Sequence, residues 1–392
     1  MNKQKKQKEI YLDYAAATPV DPLVLKKMAP YWKNLFANPS STHSKGVEAR
    51  AAVNAARREV ARVLSVKPQE IIFTSGGTEA NSMALQGICN AHFLSKKTKT
   101  KQHVLISAGE HSSVEEALSY YEKRGEVFVE KIPLTKEGLI DLGEFKKLLR
   151  TETILVSTLL VSNKTGVIQP IRQMGGIIKT FRKKNKNHAL YFHTDASQAP
   201  RYLSIRPHML GVDLLTLDGA KIYGPKGVGI LFVKEGTEIA PLIKGGGQER
   251  GMRSGTINTP LVVGFAEALL LCEKKREEDN KKIGALKYFF IKTLIKNCSY
   301  AKINTPISKS VSGVISVFFP RENSEELFVK LNTLGIYTSL GSACESETLN
   351  IISTHKKNTD ALRISLGRET TKKEINTLLK TLFTVLSARD II

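Results

Sequence analysis

The sequence has no apolar run long enough to span a bilayer as a helix. Its opening residues, MNKQKKQKEI, are basic but lead into no apolar core or cleavage site. They also lack the Arg/Ser-rich amphipathic pattern of a transit peptide, so a cytoplasmic location with no membrane contact is expected. Cysteine is scarce: Cys89, Cys272, Cys298 and Cys344 are the only four in 392 residues. No two are spaced as a zinc knuckle or a redox dithiol, and a disulfide framework is not expected in a chain of this length. Acidic residues are short, 37 against 59 Lys+Arg, for a net charge of +22. Such an excess suits nucleic acid or an acidic protein partner. No recognised nucleic-acid motif accompanies it, however, and the lysine runs at 96–101 and 183–186 fall in expected loops. A lysine-rich solvated surface is the preferred reading. Internal repeats and low-complexity segments are also lacking.

What is present is ordinary globular composition, 41% hydrophobic and 24% charged, with enough length for one large domain and a smaller one. Strand-like runs at 70–74, 103–107, 127–132, 153–161, 190–194, 214–217 and 228–233 alternate with amphipathic stretches at 47–64, 77–93, 113–124 and 142–149. This alternation predicts an α/β fold with a mostly parallel sheet. The short Gly-Pro-Lys-Gly turn at 224–227 adds an antiparallel pairing between the last two runs. Beyond Gly245–Gly247 the pattern changes to a long helix at 261–295, a strand at 314–319, a helix at 325–333, a strand at 362–365 and a final helix at 372–387. The domains expected are 21–257 as the large one and 1–20 with 258–392 as a smaller α+β one.

Ligands of open α/β sheets bind at the carboxyl ends of the strands. The first strand runs into TSGGTEAN, where Gly77 and Thr78 open a helix: a phosphate cradle, or simply a tight turn. The second runs into GEHSS, where His111 is a helix cap, a ring to stack on a planar group, or a proton carrier. Asn163, in SNKTG, either donates to an oxyanion or shapes a turn. Asp195 ends an apolar strand and needs a partner, for which a protonated pyridine nitrogen is one choice and an Arg or amide another. Gln198 follows it. Lys221, in DGAKIYGPKG, suits a Schiff base if its amine is desolvated or set among cations; Lys226 is its rival. Each taken alone is ambiguous. Together they supply what pyridoxal 5'-phosphate requires of a protein.

Cys344 stands in SLGSACESE, among small polar residues that suit a loop better than a core. Cys89 and Cys272 sit in helix-like apolar patterns and are expected in the core.

The sequence resembles the cysteine desulfurases, within the class V aminotransferase family of fold-type I pyridoxal phosphate enzymes. The motifs run from YLDYAAATPV and NPSSTHSKG through FTSGGTEAN, GEHSSV, SNKTG, HTDASQ and AKIYGPKGVG to GGGQERGMRSGT, GSAC and LRISLGR. The resemblance implies that Lys221 bonds the cofactor aldehyde, Asp195 pairs with the pyridine nitrogen, Gln198 reaches the phenolic oxygen and His111 stacks on the ring. Gly77 and Thr78 would hold the phosphate, with Thr256 reaching it from the second subunit of a homodimer. Asn163 and Arg363 would fix the carboxylate of L-cysteine. Cys344 would accept sulfur as a persulfide and pass it to an acceptor such as an iron–sulfur scaffold or a tRNA-thiolation partner. No resident metal is expected, Cys344 serving at most as a transient iron–sulfur ligand. Within the family a selenocysteine lyase or a cysteine-sulfinate enzyme is the alternative; a non-catalytic scaffold keeping the fold is a more remote one. Three positions depart from the family pattern: Asp218 where a serine helps hold the phosphate, Ala220 where a histidine is common, and Lys164 where an acidic residue follows Asn163. Asp218 is expected to turn off the phosphate or to bond a local amide.

Overall fold

The computed structural model describes residues 9–95, 101–187, 189–341 and 361–387. Thirteen strands lie among them. In chain order they are β1 (Ile10–Tyr11), β2 (Ile71–Thr74), β3 (Gln102–Ser107), β4 (Val127–Ile132), β5 (Thr153–Leu159), β6 (Tyr191–Asp195), β7 (Leu214–Asp218), β8 (Gly229–Val233), β9 (Lys302–Ile303), β10 (Val314–Phe318), β11 (Ile336–Tyr337), β12 (Ser339–Leu340) and β13 (Leu362–Ser365).

Seven of them form the main sheet, ordered β2-β8-β7-β6-β5-β3-β4. The β4-β3-β5-β6-β7 run is parallel throughout. β8 alone opposes it, pairing antiparallel with both β7 and β2. That reversal is the one expected from the short Gly-Pro-Lys-Gly turn. β2, β3 and β5 are buried along their whole length, whereas the edge strand β4 is buried only at its two ends. Continuous burial is why these strands read as apolar runs and not as alternations.

Alternate side chains of the sheet feed two cores. Ile71, Phe73, Leu105 and Val156 face one, with the helices Ser44–Leu64 and Ile171–Asn185. Ile72, Val104, Ile106 and Leu155 face the other, with the helices Gly77–Ser95 and Ser112–Lys123. This is the period-2 consequence of the pleat. The architecture is therefore a mostly parallel α/β sheet covered on both faces by helices.

A second, antiparallel sheet of order β12-β13-β10-β9 encloses a separate core with the helices Ser324–Thr333 and Lys372–Ser387. The helix Thr259–Asn297 serves both cores. Asn258 caps it, accepting from the Leu261 amide at 3.2 Å, and Pro260 sits in its first turn. Val262, Phe265 and Leu269 pack on the main core, and Ile283, Phe290 and Leu294 pack on the second. Between them lies the charged stretch EKKREEDNKK. β1 pairs with β11, and Ile10 and Leu12 bury in the second core, so the N-terminal segment crosses to that side.

No helix among the described residues is long and apolar enough to cross a membrane.

Candidate active site

The parallel strands end on a common edge, and seven of the expected site residues gather there. Gly77, Thr78, His111, Asn163, Asp195, Gln198 and Lys221 line one cavity, reached by the chain after β2, β3, β5, β6 and β7. Asn81, Ser113, Ser197 and Asp218 complete its polar wall.

Asp195 closes β6. Its Oδ1 accepts from the Ser197 amide at 2.9 Å, and its Oδ2 accepts from Asn81 Nδ2 at 2.8 Å. Asn81 also donates to Ser113 Oγ at 2.9 Å, and that hydroxyl lies 2.8 Å from His111 Nδ1. The Asn81 amide must present its nitrogen here, since its oxygen would face a carboxylate. His111 caps the helix Ser112–Lys123, with Nδ1 accepting from the Ser113 amide at 3.1 Å. Nδ1 is thereby an acceptor, and the neutral ring carries its proton on Nε2. A single chain of bonds thus runs from His111 to Asp195.

Two buried titratable groups back this wall. Burial pushes the Glu110 carboxyl up to about 8, against bonds donated by Ser107 Oγ and the Leu159 amide. Burial lowers His193 to about 4, against the pull of Asp195.

Lys221 follows β7 on a short 3-10 turn capped by Asp218. Burial is the main cause that lowers its amine pKa, with Arg363 and Arg201 adding to it and Asp218 and Asp195 opposing. Its Nζ donates to the Ala16 carbonyl. The N-terminal segment lies across the site at several points. Gln198 Nε2 donates to the Ala15 carbonyl at 2.7 Å, and Thr18 Oγ1 donates to the Ala220 carbonyl at 2.9 Å. Asp13 accepts from Arg363 Nη2 at 2.7 Å. Arg363, on β13, does not line the cavity but adjoins a residue that does: its Nη1 donates to the Asn163 carbonyl at 3.2 Å.

Asp218 does bond a local amide, as expected: its Oδ1 accepts from Ala220 N at 2.8 Å. It has not turned off the phosphate cradle, however. Its Oδ2 accepts from the Gly77 amide at 3.3 Å. The reason is electrostatic, since the first N–H groups of a helix attract the nearest anion. Thr256 lies outside this cavity and lines a separate pocket with Ser75 and Gly227. Cys344 lies outside the described residues. Cys89, Cys272 and Cys298 are buried, the first two as expected from their apolar patterns.

Sequence reasoning passed over Asn81, Ser113, Ser197 and Asp13 as site residues. All four stand inside quoted motifs. Asn81 was legible from spacing: it falls one helical turn after Gly77 and so shares its face.

The polar lining, with both donors and acceptors, fits a phosphorylated pyridine aldehyde. Ser197 Oγ and Gln198 Oε1 are buried and have no hydrogen-bond partner among the described residues, and both residues line the cavity. An amine, a fixed carboxylate and a helix N-terminus lie on the same wall. A parallel sheet with this equipment at its carboxyl edge defines a fold-type I pyridoxal phosphate enzyme.

Comparison with known proteins agrees. The family model for aminotransferase class-V matches residues 10–378. A cysteine desulfurase IscS of Dictyoglomus turgidum is 37% identical over 383 residues, covering 96% of this chain and 94% of its own. The mitochondrial cysteine desulfurase of Saccharomyces cerevisiae is 39% identical over 382 residues, 95% of this chain and 73% of its own. A solved structure described as a NifS-like protein superposes with TM-score 0.89 at 34% identity, covering 97% of this chain and 100% of its own. The chain belongs to the aminotransferase class-V family. That family depends on pyridoxal 5'-phosphate.

Proposed function

We propose that the chain is a cysteine desulfurase, which moves sulfur from L-cysteine to Cys344, leaves L-alanine, and passes the sulfur to an acceptor in iron–sulfur cluster assembly or tRNA thiolation. The observation that carries this reading is the shared cavity of Lys221, Asp195 and His111, in a chain that spans 94% of the Dictyoglomus turgidum cysteine desulfurase.

Pyridoxal phosphate, when bound, serves as an electron sink for the α-carbon of an amino acid. The residues that would hold it are Asp195 at the pyridine nitrogen, His111 at the ring face, Gln198 at the phenolic oxygen, and Gly77 with Thr78 at the phosphate. Two hydrogen bonds fix Asp195 and keep it from rotating away. Lys221 has its amine pKa lowered by burial, which favours the neutral form needed to bond an aldehyde and to carry a proton. Arg363, pre-aimed by Asp13, would clamp the substrate carboxylate beside Asn163. Cys344 would attack the substrate sulfur as a thiolate. One S–S bond forms as the C–S bond breaks, and Lys221 returns a proton to carbon. Thiol plus cysteine becomes persulfide plus alanine, so atoms and electrons balance.

The test is to incubate the protein with L-cysteine, assay alanine, and look by mass spectrometry for one added sulfur on Cys344. Lys221→Ala should abolish both. Alanine formed in full by Cys344→Ala would argue against sulfur transfer through this thiol, and pyruvate with sulfide in place of alanine would mark simple elimination.

We also propose that 21–257 is the large cofactor domain, with 1–20 and 258–392 forming the small domain that carries Cys344. The two sheets support this reading, as does the pairing of β1 with β11. A homodimer is proposed with it, in which Thr256 serves the cofactor phosphate of the second copy. Its location outside its own chain's cavity supports that role.

A further inference from the structure

The phosphate end of the cavity contains a carboxylate. Asp218 Oδ1 accepts from Ala220 N at 2.8 Å and so caps the turn that carries Lys221. Its Oδ2 accepts from Gly77 N at 3.3 Å. Gly77 begins the helix, and its amide is among the donors that a phosphate at this helix end would use. Ser197 Oγ points at the same spot. A Cβ built on Gly77 would lie 3.2 Å from Asp218 Oδ2 and 3.3 Å from Ser197 Oγ. Ser197 is only 8% exposed, and its hydroxyl has no partner among the described residues. A helix N-terminus, an unpartnered buried hydroxyl and a side-chain anion therefore converge on one concavity.

Without another anion, this carboxylate suits the helix end. It cannot share the Gly77 hydrogen with a phosphate on equal terms, because two anions at contact distance repel strongly in a partly desolvated site. We propose that Asp218 is a built-in competitor for the cofactor's phosphate. It occupies the phosphate's donor and must withdraw before the phosphate can seat, so the chain holds the phosphorylated cofactor loosely and exchanges it readily. This rests on the reading of the cavity as a pyridoxal phosphate site. The Asp195 and His111 contacts do not involve Asp218, and its pull on the Lys221 amine acts on phosphorylated and unphosphorylated aldehyde alike, so the difference between the two isolates the phosphate. Its signature is a small preference for pyridoxal phosphate over pyridoxal, which lacks the phosphate.

Two substitutions separate charge from shape. Asp218→Asn keeps a side-chain oxygen to cap Ala220 and removes the charge. Asp218→Ser keeps a capping hydroxyl and also shortens the reach toward Gly77. Cofactor-free full-length protein is titrated with pyridoxal phosphate and, separately, with pyridoxal, following the absorbance of the Lys221 adduct. In both variants the preference for pyridoxal phosphate over pyridoxal should rise by about tenfold or more. The dissociation rate of pyridoxal phosphate should fall in parallel. Should the serine variant fail to fold, the asparagine variant carries the test. A preference for the phosphorylated form that stays the same, or weakens, in the variants overturns the competitor and leaves the cavity's assignment standing. Failure of wild type and variants alike to form an adduct with either compound overturns both.

Discussion

Arg363 and Asp13, 350 positions apart in the chain, meet at 2.7 Å. The contact joins β13 of the smaller sheet to the N-terminal segment, and the Asn163 carbonyl holds a second guanidinium nitrogen. Arg363 Nε is buried with no partner among the described residues. The guanidinium is thus oriented in advance, with donor capacity in reserve. Arg363→Lys keeps the charge and loses the planar fork. We expect KM for L-cysteine to rise about 10- to 100-fold, while pyridoxal phosphate still titrates onto Lys221. Steady-state kinetics beside a cofactor titration checks this, and an unchanged KM would remove Arg363 from the substrate site.

The GGGQERGMRSGT segment is anchored by an ion pair. Glu249 accepts from Arg57 Nη1 at 2.8 Å and from the Phe73 amide at 2.9 Å. Its side chain is 1% exposed and that of Arg57 is 10% exposed. Removing one partner strands the other charge in a low-dielectric setting. Glu249→Ala should therefore cost about 3–5 kcal/mol in urea unfolding. A loss typical of a surface pair, below about 1 kcal/mol, would show that the pair is solvated.

Glu110 gives stability a pH dependence. Its folded value of about 8 lies above the ordinary 4.5, so the folded chain keeps a proton that the unfolded chain releases. The contribution is full below pH 4.5 and is lost as pH rises toward 8, by up to about 1.4 kcal/mol per unit. His193, lowered to about 4 from 6.5, acts oppositely, but only below 6.5. Between pH 6.5 and 8 the Glu110 effect stands clear of it. Glu110→Gln should flatten the decline of unfolding free energy across that interval. Equal slopes in the two proteins would assign the decline elsewhere.

Thiol reactivity should be uneven. Burial raises Cys89 to about 12 and Cys272 to about 11, so neither offers thiolate near neutral pH. Brief exposure of the native protein to a maleimide should label Cys344 and spare these two until denaturant is added. Peptide mapping reads the sites. Early label on Cys89 or Cys272 would contradict their burial.

The main sheet could be read from the sequence because its strands are apolar and end in recognisable turns; all seven appear where the runs placed them. The short strands β1, β9, β11 and β12 could not, since two residues carry no periodicity. Residues acting through their own charge or ring were legible: Lys221, Asp195 and His111 stand at strand ends. The N-terminal segment's part was not. It works mainly through the carbonyls of Ala15 and Ala16, which no side-chain pattern reveals. Asp218 shows the opposite case. Its residue type announced a conflict with phosphate, but only the fold showed which amide it takes.

The helix Thr259–Asn297 makes the spacing between its two ends a fixed gear ratio. One extra residue inserted between 273 and 282 would turn Ile283, Phe290 and Leu294 by about 100° around the axis. Those side chains would leave the hydrophobic seat they share with β13, and the guanidinium at 363 would shift from the Asn163 carbonyl at the main sheet's edge. Length in that charged stretch is thus constrained beyond its composition, so substitutions at its exposed Lys274, Glu277 and Glu278 should be tolerated where a single-residue insertion is not.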